Sequence, residues 1–129
     1  MLPCSQSIYR SILGPLVNWC LDTFGEDAPV LIGVHLGPEH MQLHHTELSI
    51  VDPIRDLASR RASDDWDVVI VVLETARIDG LPHSGVVAHA MDRHGQSAIV
   101  LDEQCGRRRS LRHPSGWLHR VTLSLFDVF

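Results

Sequence analysis

The sequence predicts one α+β domain over 1–129, with helices packed on a sheet of about five mostly antiparallel strands. Three observations predict this class. The run DVVIVVLET at 67–75 is apolar and β-branched, which is typical of a strand buried on both faces. A long helical pattern precedes it, and strand pairs joined by turn residues lie before and after it. The predicted element order is α-β-β-α-β-β-β-α.

The first predicted element is a helix over 5–24. Its apolar residues recur at steps of three and four and form one broad face. They are Ile8, Ile12, Leu13, Leu16, Val17, Cys20, Leu21 and Phe24. Gly14-Pro15 interrupts this pattern, so a kink or a restart is expected at Pro15, which cannot donate a backbone hydrogen bond. Gly25 is expected to end the helix in the left-handed conformation.

A hairpin and a short helix are predicted next. Strands at 29–36 and 41–48 flank a turn at 37–40 that has proline in its second position. Asp52 and Pro53 then begin a helix, because aspartate accepts hydrogen bonds from free backbone donors and proline suits the first turn.

The second half of the chain contains the apolar strand and a second hairpin. This hairpin spans 85–102, with a turn from Asp92 to Gly95. The segment 103–114 is polar and is expected to be an exposed loop. A last helix is predicted from Ser115, although alternating apolar residues there also permit a strand. In element order alone, this layout resembles the profilin-like arrangement of roadblock-type modules. The likeness covers topology and no motif.

Composition indicates a soluble cytoplasmic protein. A formal charge of −5 argues against a general nucleic-acid binder, which needs a basic surface. The three cysteines, Cys4, Cys20 and Cys105, form no Cys-x-x-Cys pair, which favours a reducing compartment. No stretch reaches the roughly 18 consecutive apolar residues of a membrane span. Every basic residue is Arg, as is common in proteins from GC-rich bacterial genomes.

Histidines crowd the first hairpin and include His35, His40 and His44, which are candidate ligands for zinc or another transition metal. If Leu36 pairs with Met41 across the turn, only His35 and His44 converge on one face. The favoured interpretation is therefore no cofactor and no tight metal site on this hairpin. A metal-dependent enzyme that uses these three histidines is the alternative.

A basic patch is the second candidate site. Arg107, Arg108, Arg109 and Arg112 are predicted to bind a partner, because guanidinium groups recognise carboxylates and phosphates. The net negative charge of the rest of the chain favours an acidic protein over nucleic acid as that partner.

The leading functional hypothesis is a non-enzymatic protein-interaction or regulatory module that forms a homodimer. No residue cluster completes a catalytic signature, and the edges of a sheet built from hairpins must be paired or covered. The expected partners are a second copy of the chain and an unidentified protein, with no membrane and no nucleic acid.

Overall fold

The chain forms an antiparallel sheet with helices on both faces. The computed structural model describes residues 4–75, 85–104, 107–111 and 116–126. Within these residues the helices are α1 (Cys4–Phe24), α2 (Pro53–Ala58) and α3 (Gly116–Ser124). The strands are β1 (Val30–Leu36), β2 (Met41–Glu47), β3 (Val68–Glu74), β4 (Val86–Asp92), β5 (Ser97–Gln104) and β6 (Arg107–Leu111). Predictions for 78–84, Cys105, Arg112 and Ser115 lie outside the described residues.

The described strands lie in the order β2-β1-β3-β4-β5-β6, and each pairs with its neighbour in the antiparallel sense. The predicted α+β class is confirmed, and the element order agrees with the prediction except for one additional strand, β6, which brings the described strands to six instead of about five. β3 is the interior strand that the apolar run predicts, and its residues from Val68 to Leu73 are buried. None of the described helices has the length and apolar character that crossing a membrane requires.

Two hydrophobic clusters cover the two faces of the sheet. On one face α1 packs on the even-numbered residues of β1 and β3, and its buried residues are Leu13, Leu16, Val17, Cys20 and Leu21. On the other face Leu57 of α2 and Val121 of α3 pack on Leu31 and on the odd-numbered residues of β3. The sheet therefore forms the middle layer of three.

The course of α1 at Pro15 and the chain that follows its last residue differ from the sequence prediction. α1 continues through Pro15 without the restart that was one of the two expected outcomes. Buried residues on both sides of Pro15 hold the helix on the sheet. α1 ends at Phe24 as predicted, but the chain then forms a 3-10 turn over Gly25–Asp27. The prediction of a left-handed Gly25 is wrong, because among the glycines that the structure describes the positive φ values are at Gly85 and Gly95.

The two predicted hairpins and the short helix are present. In the first hairpin Leu36 lies opposite Met41. The Asp52 carboxylate accepts a hydrogen bond from the Arg55 amide at 3.1 Å and so begins α2. In the second hairpin the Asp92 carboxylate accepts hydrogen bonds from the backbone of the turn, which ends at Gly95 with φ +84°.

The expected loop at 103–114 is wrong for 103–104, which end β5, and for 107–111, where β6 pairs with β5. Three consecutive arginines show no alternation of apolar and polar residues, and their charge suggests a solvated loop, so the sequence does not indicate a strand here. In the strand Arg108 lies on the α1 face beside Asp102, and Arg109 lies on the α3 face beside Leu101. The ambiguity at the C-terminal segment is settled in favour of a helix, α3.

Candidate functional site

The first hairpin separates its histidines between the two faces of the sheet. His35 lies opposite Gln42, and His44 lies opposite Gly33, so these two imidazoles share the α2 and α3 face. His45 lies on the α1 face, where its ring is 5.2 Å from that of Phe24 between centroids. His35 and His44 therefore lie on the same face of the hairpin, as the predicted pairing of Leu36 with Met41 requires.

An open groove of about 510 Å³ adjoins this pair of histidines, and we call it the histidine groove. Its lining residues are His35, Gln42, His44, Ser63, Asp65 and Trp66. The Trp66 ring covers Gly33, since a β-carbon on Gly33 would overlap the ring carbons. The absence of a side chain at Gly33 thus allows Trp66 to lie against the sheet beside His44.

The loop 63–66 that borders the groove is held in place by two side chains. Arg93 donates hydrogen bonds to the backbone carbonyls of Ser63, Asp64 and Trp66, at 2.8, 2.9 and 2.7 Å. His35 Nδ1 lies 2.7 Å from the carbonyl oxygen of Asp65. A carbonyl can only accept, so Nδ1 carries a proton and the Nε2 of a neutral His35 has a free lone pair.

One chain does not complete a metal site in this groove. Within the described residues, no three side chains among His, Cys, Asp and Glu converge on one point. His40, the third histidine of the enzyme hypothesis, is exposed at the turn and does not line the groove. Two imidazoles remain, fewer than the four ligands of a structural zinc site or the three of a catalytic one.

Cys20 does not supply a nucleophile. It lies on the face of α1 that packs on the sheet and is fully buried, and burial raises the pKa of its thiol to about 12. The thiolate, which is the reactive form, is therefore negligible at neutral pH.

The basic patch splits into one bound arginine and two exposed ones. Arg108 links three elements: its Nε lies 3.1 Å from Asp102 Oδ2 and its Nη2 lies 2.6 Å from Asp22 Oδ1 on α1. The hydrogen bond to Asp22, and then that to Asp102, raises the pKa of Arg108. Arg107 is exposed, and Arg109 pairs with Glu103 at 2.9 Å.

Replacing Arg108 with Ser should lower the free energy of unfolding by about 1 to 2 kcal/mol, because two carboxylates lose a half-buried hydrogen-bonding partner. Arg109→Ser is the matched control on the other face of β6. It should cost less than about 0.5 kcal/mol, since exposed pairs contribute little. Urea denaturation of both variants measures the difference, and equal losses would contradict the assigned role of Arg108.

An apolar groove on the opposite face of the sheet was not anticipated from the sequence. It lies between α1 and β2, and its lining residues are Ile12, Pro15, Leu16, Trp19, Met41 and Leu43. Trp19 is 47% exposed and Met41 is 45% exposed, which is unusual for side chains of this size. Trp19 lies outside the step-of-four pattern that defines the buried face of α1. The sequence indicates its apolar character but not its position over β2.

Comparisons of the chain with models of protein families, with curated proteins and with solved structures found no match. The topological resemblance to roadblock-type modules therefore gains no support from them.

Proposed function

We propose that the chain is a non-enzymatic protein-interaction module that forms a homodimer through the exposed edge of β2. The observation that carries this proposal is the direction of the backbone groups in β2. The Gly37 amide donates to the His40 carbonyl and the Leu48 amide donates to the Pro29 carbonyl, which fixes which residue pairs exchange hydrogen bonds.

Along a strand, the backbone N–H and C=O groups of successive residues point alternately to one side and to the other. The even-numbered residues of β2, such as His44, exchange hydrogen bonds with β1. The odd-numbered residues, Met41, Leu43, His45 and Glu47, therefore direct their N–H and C=O groups away from the sheet. An edge of this kind can pair with another strand, and β2 has no Lys, Arg or Pro to prevent it.

The apolar groove lies beside this edge and extends the surface available for association. The side chains of Met41 and Leu43 are on the α1 face, next to Trp19. Two antiparallel β2 strands are related by a two-fold axis perpendicular to the sheet, so the α1 helices of both copies lie on the same face. The two apolar grooves then adjoin and bury each other.

The opposite edge of the sheet is less suited to self-association. β6 has the sequence RRRSL, and two β6 strands paired with each other would bring arginines of like charge together. Arg107 and Arg109 remain exposed in such a dimer and can contact an acidic partner protein. Binding to that partner should weaken as salt concentration rises.

Light scattering tests the dimer with a matched pair of substitutions. Met41 and Leu123 are apolar and 45% and 41% exposed, but they lie on opposite faces of the sheet. Wild type should have twice the chain mass at micromolar concentration. Met41→Lys should raise the dimer dissociation constant by about tenfold or more, equivalent to about 1.4 kcal/mol. Leu123→Lys should leave the constant unchanged.

A monomeric wild type would refute the proposal. If Met41→Lys and Leu123→Lys change the dimer dissociation constant equally, the β2 edge is not part of the interface. The double variant Arg107→Ser, Arg109→Ser should remain a dimer, because β6 lies at the other edge. If this variant dissociates into monomers, the assignment of the two edges is wrong.

A further inference from the structure

We propose that the histidine groove binds an arginine side chain on the surface of a partner protein. The groove is complete within one chain, so this inference does not depend on the proposed dimer. Pairing of two β2 edges adds a strand in the plane of the sheet, whereas the groove lies on its α2 and α3 face. The charge, the hydrogen-bonding groups and the aromatic ring of the groove point to a guanidinium group.

The charge of the groove favours a cation. None of its six lining residues is Lys or Arg, and the carboxylate of Asp65 belongs to the lining. The Asp67 carboxylate adjoins His35, 3.5 Å from its Nδ1. Arg93 contacts the same loop, but it does not line the groove and its guanidinium donates to three backbone carbonyls. With neutral histidines, the formal charge of the lining is therefore negative.

Hydrogen-bond acceptors belong to both walls of the groove. On the wall formed by β1 and β2, the Nε2 lone pair of a neutral His35 is available, because Nδ1 donates to the Asp65 carbonyl at 2.7 Å. Gln42 adds an amide oxygen to the same wall, and Ser63 and Asp65 add a hydroxyl and a carboxylate to the loop wall. A guanidinium has five N–H donors in one plane, which suits acceptors on two sides better than a compact ammonium does.

Trp66 supplies an aromatic surface for the guanidinium. Its ring lies against Gly33, where a β-carbon would overlap the ring, and the residue is only partly buried. Arg93 donates to the Trp66 carbonyl at 2.7 Å and so holds the backbone that carries the ring. Among aromatic side chains Trp attracts cations most strongly, and Arg is the cation found more often in such pairs. A ring that is already held in place loses little conformational freedom on binding.

The open shape of the groove favours a side chain of a protein over a free small molecule. The groove has a volume of about 510 Å³ but is a surface depression that solvent enters. Sites for small molecules usually enclose most of the surface of the ligand. An arginine on a partner protein needs only its tip to be bound, because the surrounding contacts of the partner exclude water from the rim.

An NMR titration of the isotope-labelled protein with acetyl-Gly-Arg-Gly-amide tests the inference. The peptide should shift the indole N–H signal of Trp66 and the amide signals of the loop 63–66 to saturation, with a dissociation constant on the order of 1 mM. Citrulline in place of arginine keeps the shape and removes the charge, and this peptide should bind about tenfold more weakly. The lysine peptide should bind about threefold more weakly.

Two matched substitutions distinguish a contact in the groove from general attraction to an acidic loop. Asp65→Asn removes the carboxylate of the lining but keeps the backbone carbonyl that orients His35, and it should raise the dissociation constant about threefold to fivefold. Asp64→Asn makes the same change of charge at an exposed neighbour that does not line the groove. It should change the constant by less than about 1.5-fold. Trp66→Leu should weaken binding about threefold or more.

The possible outcomes are distinct. Absence of saturable shifts at the groove would overturn the inference, and so would equal binding of the arginine peptide and either the citrulline or the lysine peptide. Equal effects of Asp64→Asn and Asp65→Asn would show unspecific attraction and would overturn it as well. If the groove signals change with protein concentration but not with peptide, the groove is a contact between copies of the chain and the inference is wrong. Binding of the arginine peptide to a protein that is monomeric in light scattering would support the inference and refute only the dimer.

Discussion

Ile70→Asp should unfold the protein. Ile70 is fully buried in β3, the interior strand, and its side chain packs in the cluster beneath α1. An aspartate there would be either an unpaired buried charge or a carboxyl protonated at a high pKa. Either outcome should cost about 4 kcal/mol or more, a large part of the stability of a typical domain. Circular dichroism and urea denaturation measure the loss.

Two further variants show whether burial is the cause. Val51→Asp makes a similar change at a residue that is 84% exposed and should alter stability by less than about 0.5 kcal/mol. Ile70→Val removes one methylene and should cost about 1 kcal/mol. An Ile70→Asp protein that melts like wild type would show that β3 is not an interior strand.

Gly33→Val should also destabilise the protein strongly. A β-carbon at this position overlaps the Trp66 ring, so the ring must leave the sheet or the strands must shift. The cost should be about 3 kcal/mol, at the upper end of the range for overpacked sites. The shape of the histidine groove would also change, because the displaced Trp66 ring is one of its lining side chains, together with His44.

A double-mutant cycle isolates this contact. Trp66→Ala removes the ring, and in that background Gly33→Val should cost less than about 1 kcal/mol, so the coupling energy should be about 2 kcal/mol. Urea denaturation of the four proteins gives the coupling. If the two substitutions add independently, Trp66 does not cover Gly33, and the account of the groove is wrong.

Regular hydrophobic patterns explain why most of the fold could be predicted. The run from Val68 to Leu73 has no polar residue and so predicts an interior strand. The first hairpin follows from a proline turn between the apolar segment 29–36 and the more polar segment 41–48. β6 was not predicted, because a strand is recognised by alternation of apolar and polar residues, and Arg108 and Arg109 are the same residue type. Only the pairing with β5 shows that one of them faces Asp102 and the other faces solvent.

The candidate sites were predictable in part. The register of the first hairpin follows from its turn, so the placement of His35 and His44 on one face of the sheet could be expected. Contacts between segments that are distant in sequence could not be predicted, because no local sequence pattern encodes them. Arg93 donates hydrogen bonds to the loop 63–66, which is about thirty residues away in the sequence. Trp66 belongs to this loop, which precedes β3, and its ring lies over Gly33 of β1. The apolar groove likewise arises only when α1 and β2 lie side by side.

Amide hydrogen exchange in β2, followed residue by residue by NMR, tests the central claim most directly. The amides of Gln42 and His44 bond to β1 and should be protected whether or not a dimer forms, which makes them an internal reference. In wild type at dimer-forming concentration, the amides of Leu43 and His45 should be protected as well, and Met41→Lys should abolish that protection alone. Fast exchange at Leu43 and His45 in wild type, beside slow exchange at Gln42 and His44, would contradict pairing through the β2 edge.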